Sequence, residues 1–473
     1  MKYRFISSVL ICSIVFSLFL SGQDQIDKQS FTGSWLGRIE VSAISLRIVF
    51  NLSVVGNDSL VATMDSPDQG VKNVKLGPVT LTGNNINISA GTMLAEYNGT
   101  IKHDTLIEGT WSQAGRTFPL NITRLKAFFT LNRPQEPMPP FPYISEDLTF
   151  ANDRSNIRLA GTLTIPRGTG PFPAVILITG SGAQNRDEEL LGHKPFLVIA
   201  DHLTRNGIAV LRYDDRGVGQ SQGSPFNATS ADLATDAEAG FNYLRTRSEI
   251  NPGRIGLAGH SEGGFIAPIV ASANPDVAFI ISLAGPGVTG ESLLHRQNRD
   301  ISTKMGLDEK QIRDNISTNK KLFAVIKKET DNDKAEEKVM ATYRKILKKR
   351  GLPPEEIEKN VRELSLSFGK ASYTWLRYFM VTDPALFWKK VRCPVLALNG
   401  ENDLQVAADI NLPAIRKALN AGGNRNVTIV SLPRLNHLFQ ESDTGMPSEY
   451  GEIEETFSPG VLIIMTDWIL GLN

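Results

Sequence analysis

The sequence predicts an α/β protein: a mostly parallel sheet with helices on both faces, preceded by a small antiparallel all-β barrel or sandwich. Two observations carry this. From about residue 30 to 125, apolar and polar residues alternate with a period of two, as in half-buried antiparallel strands. From residue 144 onward, short continuous apolar runs alternate with amphipathic helical stretches, the mark of strands covered on both faces.

The chain has 473 residues, with 50 basic and 50 acidic side chains. That length suits two or three domains. The balanced charge argues against a partner with a phosphate backbone, so no nucleic acid is expected. Residues 1–22 read as a secretory signal. Lys2 and Arg4 precede an apolar run from Phe5 to Leu20, followed by Ser21-Gly22-Gln23. The run is short for a membrane span. An uncleaved anchor is the competing reading, because Leu20 fits poorly at the small position before a cut at Gly22. Cys12 follows Ile11 rather than a small residue, which argues against a lipoprotein signal. The expectation is an exported protein, periplasmic or extracellular, with no stable membrane insertion after cleavage. Cys393 is the only other cysteine, so the mature chain has no internal disulfide and Cys393 reads as a buried thiol. Triplets such as Asn98-Gly99-Thr100 arise often by chance and matter only in a glycosylating host.

Residues 30–125 form the predicted antiparallel β domain. Leu46, Ile48, Phe50, Leu52 and Val54 alternate with Arg47, Val49, Asn51 and Ser53, and turn signals such as Gly83-Asn84-Asn85 separate the runs. Trp35, Tyr97 and Trp111 read as core aromatics, with an exposed binding face as the alternative. His103 reads as a surface residue. Residues 126–143 hold Pro134, Pro137, Pro139, Pro140 and Pro142, a semi-rigid linker. Residues 144–473 form the α/β domain, with strands at Ala174–Thr179, Ile208–Tyr213, Ile255–Ala258, Val277–Ala284, Val395–Asn399 and Val427–Leu432. Helices are expected at Phe196–Arg205, Ala231–Arg245 and Val461–Leu470. Residues 291–383 are rich in Lys and Glu and helical in pattern. Inserted after the strand ending at Ala284, on the side where ligands bind such sheets, they read as a lid.

Gly259-His260-Ser261-Glu262-Gly263 directly follows a strand and precedes a helix. A serine on so sharp a turn needs strained backbone angles, and the flanking glycines let strand and helix approach. Ser261 is the candidate nucleophile. A hydroxyl needs a base. Of six histidines, His437 lies just beyond the last strand, where a loop can bring imidazole over the serine. His260 is expected to point elsewhere. Asp403, at the end of Val395–Asn399, is the candidate acid that orients the imidazole, with Glu401 its competitor. The oxyanion hole needs two backbone donors: Glu262, and Ser181 or, second, Gly182 in Gly180-Ser181-Gly182. That glycine loop lacks the Lys-Ser or Lys-Thr pair of a phosphate loop. Asp215 and Arg216 read as an ion pair shaping the neighbouring loop. No group has metal-ligand spacing, and no metal or cofactor is expected.

From Ile144 to its end the chain resembles the bacterial α/β-hydrolase esterases of the EstD carboxylesterase type. The resemblance lies in Ile178-Thr179-Gly180-Ser181-Gly182, Arg212-Tyr213-Asp214-Asp215-Arg216-Gly217, the serine turn, Leu398-Asn399-Gly400-Glu401-Asn402-Asp403 and Leu435-Asn436-His437. It implies ester hydrolysis through an acyl-enzyme on an α/β-hydrolase fold, and an appended N-terminal β domain in some members. One departure is Ala183 and Asn185, where Pro and Asp are expected. A small-molecule ester is the expected substrate. Two other readings remain open: a serine peptidase, for which Glu355, Glu356 and Glu358 offer a carboxylate cluster, and a glycan- or lipid-binding protein with secondary esterase activity.

Overall fold

The computed structural model describes residues 28–472, apart from 42, 43, 57, 58, 128 and 368. The signal expected at 1–22 lies outside the described residues. The described chain divides into two compact units.

Among the described residues, ten strands between Gly33 and Arg124 form one sheet. The barrel-or-sandwich expectation therefore resolves to a single half-barrel sheet. The closing pair explains why. The strand Gly33–Val41 pairs antiparallel with the strand Ile122–Arg124, Trp35 opposite Arg124, joining what would otherwise be two sheets. Alternation does the rest. In Ser59–Ser66, Leu60, Ala62 and Met64 are buried, while Ser59 and Val61 are exposed. Phe50, Tyr97 and Trp111 cluster, with ring centroids 5.2 and 6.0 Å from Phe50. Trp35, Tyr97 and Trp111 are all buried. They form core, which removes the exposed aromatic face of the binding-protein reading. The described residues between Arg124 and Ile144 carry no helix or strand.

The second unit is built on a sheet whose strands are numbered here β1 (Ile144–Asn152), β2 (Ile157–Ile165), β3 (Phe172–Ile178), β4 (Ala209–Tyr213), β5 (Ile250–His260), β6 (Ile280–Leu283), β7 (Val395–Gly400) and β8 (Val427–Leu432). Their spatial order is β1-β2-β4-β3-β5-β6-β7-β8, parallel from β4 to β8. The β1–β2 hairpin, which lacks a turn signal of the Asn-Gly kind, is an addition to the sequence reading. The helices are α1 (Pro195–Arg205), α2 (Ser230–Leu244), α3 (Gly263–Ala273), α4 (Gly290–Lys304), α5 (Glu309–Lys328), α6 (Asn332–Lys349), α7 (Pro354–Ser367), α8 (Tyr373–Val381), α9 (Ala385–Trp388), α10 (Ala408–Ala421) and α11 (Pro459–Leu470). Successive residues of β3 feed opposite cores, since side chains alternate across a strand. Ala174 and Ile176 pack with Phe241 of α2 and Ile415 of α10. Val175 and Leu177 pack with Phe196 of α1 and Met465 of α11. This is an α/β-hydrolase fold.

Helices α4 to α8 interrupt it between β6 and β7, as the Lys- and Glu-rich composition predicts. Their apolar stripes meet in a small core of their own, among them Leu322, Ile326, Val339, Met340, Tyr373 and Leu376.

Candidate active site

Ser261 stands between β5 and α3 with φ +50°, a left-handed conformation that costs a side-chain-bearing residue energy. The flanking glycines are what permit the turn. A Cβ on Gly259 would lie 2.0 Å from the Gly263 carbonyl oxygen, and one on Gly263 would lie 2.1 Å from that of Ile178. The turn is pinned by Ser261 N donating to Leu283 O at 2.8 Å.

The loop after β8 brings His437 into the same cavity as Ser261. Its Nδ1 donates to Asp403 Oδ2 at 2.8 Å. That leaves Nε2 the acceptor of the neutral ring. Asp403 is held in turn: its Oδ1 accepts from the amides of Gln405 and Val406, each at 2.8 Å. Glu401, the competing acid, is exposed and accepts from Ser431 Oγ at 3.1 Å.

The loop after β3 supplies the third side. Ser181 lines the cavity with Ser261; Gly182 lines a neighbouring one. Among the described residues, no protein acceptor takes the amide of Ser181 or of Glu262. The Asp215–Arg216 ion pair expected here does not form. The two residues follow each other out of β4 and face opposite ways. Arg216 reaches α2, with Nε 2.7 Å from Asp236 Oδ2. Asp215 instead accepts from Thr179 Oγ1 at 2.8 Å and Gln184 N at 2.9 Å, bracketing the glycine loop. Burial pushes its carboxyl up to about 8, against the pull of those two donors.

His260 does not point away from the site, and its partner is remote in the chain. Glu188 Oε1 accepts from Gly180 N at 2.6 Å and from His260 Nδ1 at 2.9 Å. On its other side, His260 Nε2 bonds the backbone oxygen of His437 at 2.9 Å. A carboxylate and a carbonyl both accept, so each ring nitrogen faces an acceptor, a setting that favours the imidazolium over either neutral tautomer. Burial opposes that charge, but Glu188 and the two hydrogen bonds outweigh it and hold the ring above its ordinary pKa. Its ring centroid lies 4.8 Å from that of His437.

Glu262 is buried beside the serine. Its Oε1 accepts from Ser230 Oγ at 2.5 Å and from Trp375 Nε1 of α8 at 2.7 Å. Burial raises its pKa above the usual carboxylate range, and its Oε2 has no partner. Leu293, Leu294 and Gln297 of α4 and Trp375 and Phe379 of α8 close the cavity, which measures about 280 Å³. The helical insertion is therefore a wall of the site. The carboxylates of α7 are not: Glu358 is exposed and pairs with Arg344 at 2.8 Å, and none of Glu355, Glu356 and Glu358 lines the cavity.

His193 and Cys393 have structural settings. His193 bonds Thr456 Oγ1 at 2.9 Å and Tyr450 O at 2.8 Å, and burial lowers its pKa to about 3. His103 is exposed. Cys393 is free, and burial pushes its thiol up to about 12. Among the described residues no three His, Cys, Asp or Glu side chains could hold a metal ion.

The profile of the X-Pro dipeptidyl-peptidase (S15) family matches residues 155–417, more than half of the chain. The chain belongs to the S15 family. The match to the S15 family includes Ser261 and Asp403 and ends before His437. Esterase EstD of Thermotoga maritima is 26% identical over 293 residues, 62% of this chain and 61% of EstD. YfhR of Escherichia coli is 33% identical over 125 residues, 26% of this chain and 41% of YfhR. This S15-family chain thus spans less than two thirds of either relative. A solved structure of the Pyrococcus furiosus esterase Pf2001 is similar with a TM-score of 0.43 and 15% identity, covering 73% of this chain and 99% of that one.

Proposed function

We propose that the protein is a serine hydrolase that cleaves small carboxylic esters, short-acyl ones first, through an acyl-enzyme on Ser261. The observation that carries this reading is the His437–Asp403 bond beside a serine held at φ +50°. In the proposed cycle, Ser261 Oγ attacks the ester carbonyl carbon and its proton passes to His437 Nε2. Asp403 holds the Nδ1–H tautomer and stabilises the imidazolium that forms. The oxyanion rests on the amides of Glu262 and Ser181, with Gly182 the alternative second donor. The bond to the leaving alcohol breaks as His437 returns the proton to it. Water, deprotonated by His437, then attacks the acyl carbon and frees Ser261. The small first cavity supports a short acyl group, and the likeness to EstD supports an ester.

A second reading is a peptidase. Membership in a family described as dipeptidyl-peptidases favours it, as does the unpartnered buried oxygen of Glu262 beside the serine, which could receive an ammonium. Hydrolysis of p-nitrophenyl esters across acyl lengths, with an aminoacyl-anilide panel alongside, separates the two. Serine-dependent ester cleavage that falls with acyl length supports the esterase; anilide cleavage with little ester turnover supports the peptidase. Export belongs to the same reading, on the strength of residues 1–22. Its check is the mass of the mature protein, which loses the signal if export is right.

A further inference from the structure

Two cavities meet at the residue that follows the serine. The first, about 280 Å³, holds Ser261 and His437. The second, about 460 Å³, is walled by Pro225, Phe226, Leu233, Ala371 and Trp375. Ser181, Glu262 and Trp375 line both, so these three form the partition. Ser181 and Glu262 belong to the turns after β3 and β5. Trp375 comes from the insertion. It is held by one hydrogen bond, to Glu262, and by stacking on Phe379 at 5.2 Å between centroids. Glu262 also accepts from Ser230 Oγ, a donor that belongs to α2 and not to the insertion. Of the ionisable residues that line the second cavity, Asp215 and Arg216 are engaged with Thr179 and Asp236, and Glu262 takes Ser230 and Trp375 on its Oε1. Beyond the partition and Ser372, whose hydroxyl bonds the Gly369 carbonyl, the walls are proline, phenylalanine, leucine, alanine and an indole face. The volume lies within the ordinary range of ligand pockets, and apolar walls favour hydrocarbon over water.

We propose that the second cavity is a substrate subsite for an apolar group, an alkyl chain or aryl ring carried by the ester reacting at Ser261. Trp375 is the specificity-determining residue that decides how far such a group reaches. The inference rests on the ester-hydrolase reading. Two geometries lead into the cavity, from the acyl side or from the alcohol side, and the same apolar chemistry serves either.

The test uses the full chain with Trp375→Ala, Trp375→Phe and the double variant Trp375→Ala/Ala371→Trp. Trp375→Leu takes the place of Trp375→Ala if that variant does not fold. One ester series lengthens the acyl chain from acetyl to octanoyl on a fixed alcohol; the other lengthens the alcohol from methyl to octyl on acetate. Trp375→Ala is expected to raise the long-to-short ratio of kcat/KM on the order of tenfold in one series, which names the side. Trp375→Phe keeps the partition and the parental ratio, and the refilled double variant returns to it. A binding arm avoids chemistry. In a Ser261→Ala background, octanoate or 1-octanol measured by calorimetry binds tighter when Trp375→Ala is added. A ratio within twofold of the parent in both series, with no gain in binding, overturns the subsite. So does a Trp375→Phe variant that behaves like Trp375→Ala, since bulk would then not be what divides the cavities. Tighter binding without ester turnover by any variant, the parent included, sustains the subsite and overturns the ester reading instead.

Discussion

The two sheets of this chain bury different things. In the N-terminal sheet the largest fully buried side chains are Trp35, Tyr97 and Phe50; Phe50 meets Tyr97 and Trp111, and Trp35 stacks on Phe31. In the α/β sheet the faces are as apolar, but the C-terminal ends of β3, β5 and β7 open onto buried polar residues: Thr179, His260, Glu262 and Asp403. Burying polar groups is costly unless each finds a partner. Parallel strands end together at one edge, so loops from several of them can supply those partners. The antiparallel sheet alternates strand directions and has no such common edge. The difference teaches where to look: aromatic packing fills the first sheet, and partnered polar burial points to the edge of the second as the candidate reactive region.

Mutations can break or sharpen that contrast. The largest effect is expected at the second sheet, where Ser261→Ala should lower kcat by about 10⁶-fold in an ester assay, because nucleophile, base and acid act as a unit. Near-normal turnover in pure protein would remove the reactive region from this edge. Asp403→Asn should follow with a loss of about 10⁴-fold, from the wrong tautomer of His437. Phe50→Ala tests the scaffold side. It should cost about 3–5 kcal/mol in thermal unfolding of the N-terminal unit, with kcat of the folded fraction unchanged. A comparable loss of kcat would join the two regions functionally.

Glu188→Gln should be milder, about 1.5 kcal/mol, since the hydrogen bonds survive but the charge does not. Its sign with pH is fixed by His260, whose pKa is raised in the fold. That contribution is complete below the ordinary value of about 6.5 and fades as pH climbs through the raised one. The stability gap between parent and variant, measured by thermal melts, should therefore be widest near about pH 6 and narrow at alkaline pH. A gap that widens with pH would mean that His260 is neutral. Smallest of all, Glu401→Gln should leave kcat/KM within about twofold, as expected of an exposed carboxylate with one hydroxyl partner. A large loss would exchange it with Asp403.

Legibility followed chain separation. Ser261 was readable because the requirement is local: Gly259 and Gly263 stand two residues either side. His437 and Asp403 were readable as candidates because each follows a strand visible as an apolar run, and the structure places them 2.8 Å apart. Arg216 was given to its neighbour Asp215, because sequence offers adjacency where the loop after β4 sends the two side chains to different partners, Asp236 for Arg216 and Thr179 and Gln184 for Asp215. The partners of His260 were unreadable. Glu188 lies 72 positions away and the His437 carbonyl 177. A backbone acceptor leaves no trace in residue identity. Trp375 was hidden because a helical insertion shows its period but not which of its residues line the cavity that holds Ser261. Some strands of the N-terminal sheet were legible as alternating runs, while its continuity as one sheet depended on pairing Trp35 with Arg124 across the whole unit.

A single oxygen of Glu188 serves Gly180 on the loop after β3 and His260 at the last position of β5. In descent this makes positions 188 and 260 a linked pair. A shorter acid at 188 would abandon one donor, and a residue at 260 that cannot donate would strand the carboxylate. Lineages that keep the reaction are expected to keep both residues or to replace them together.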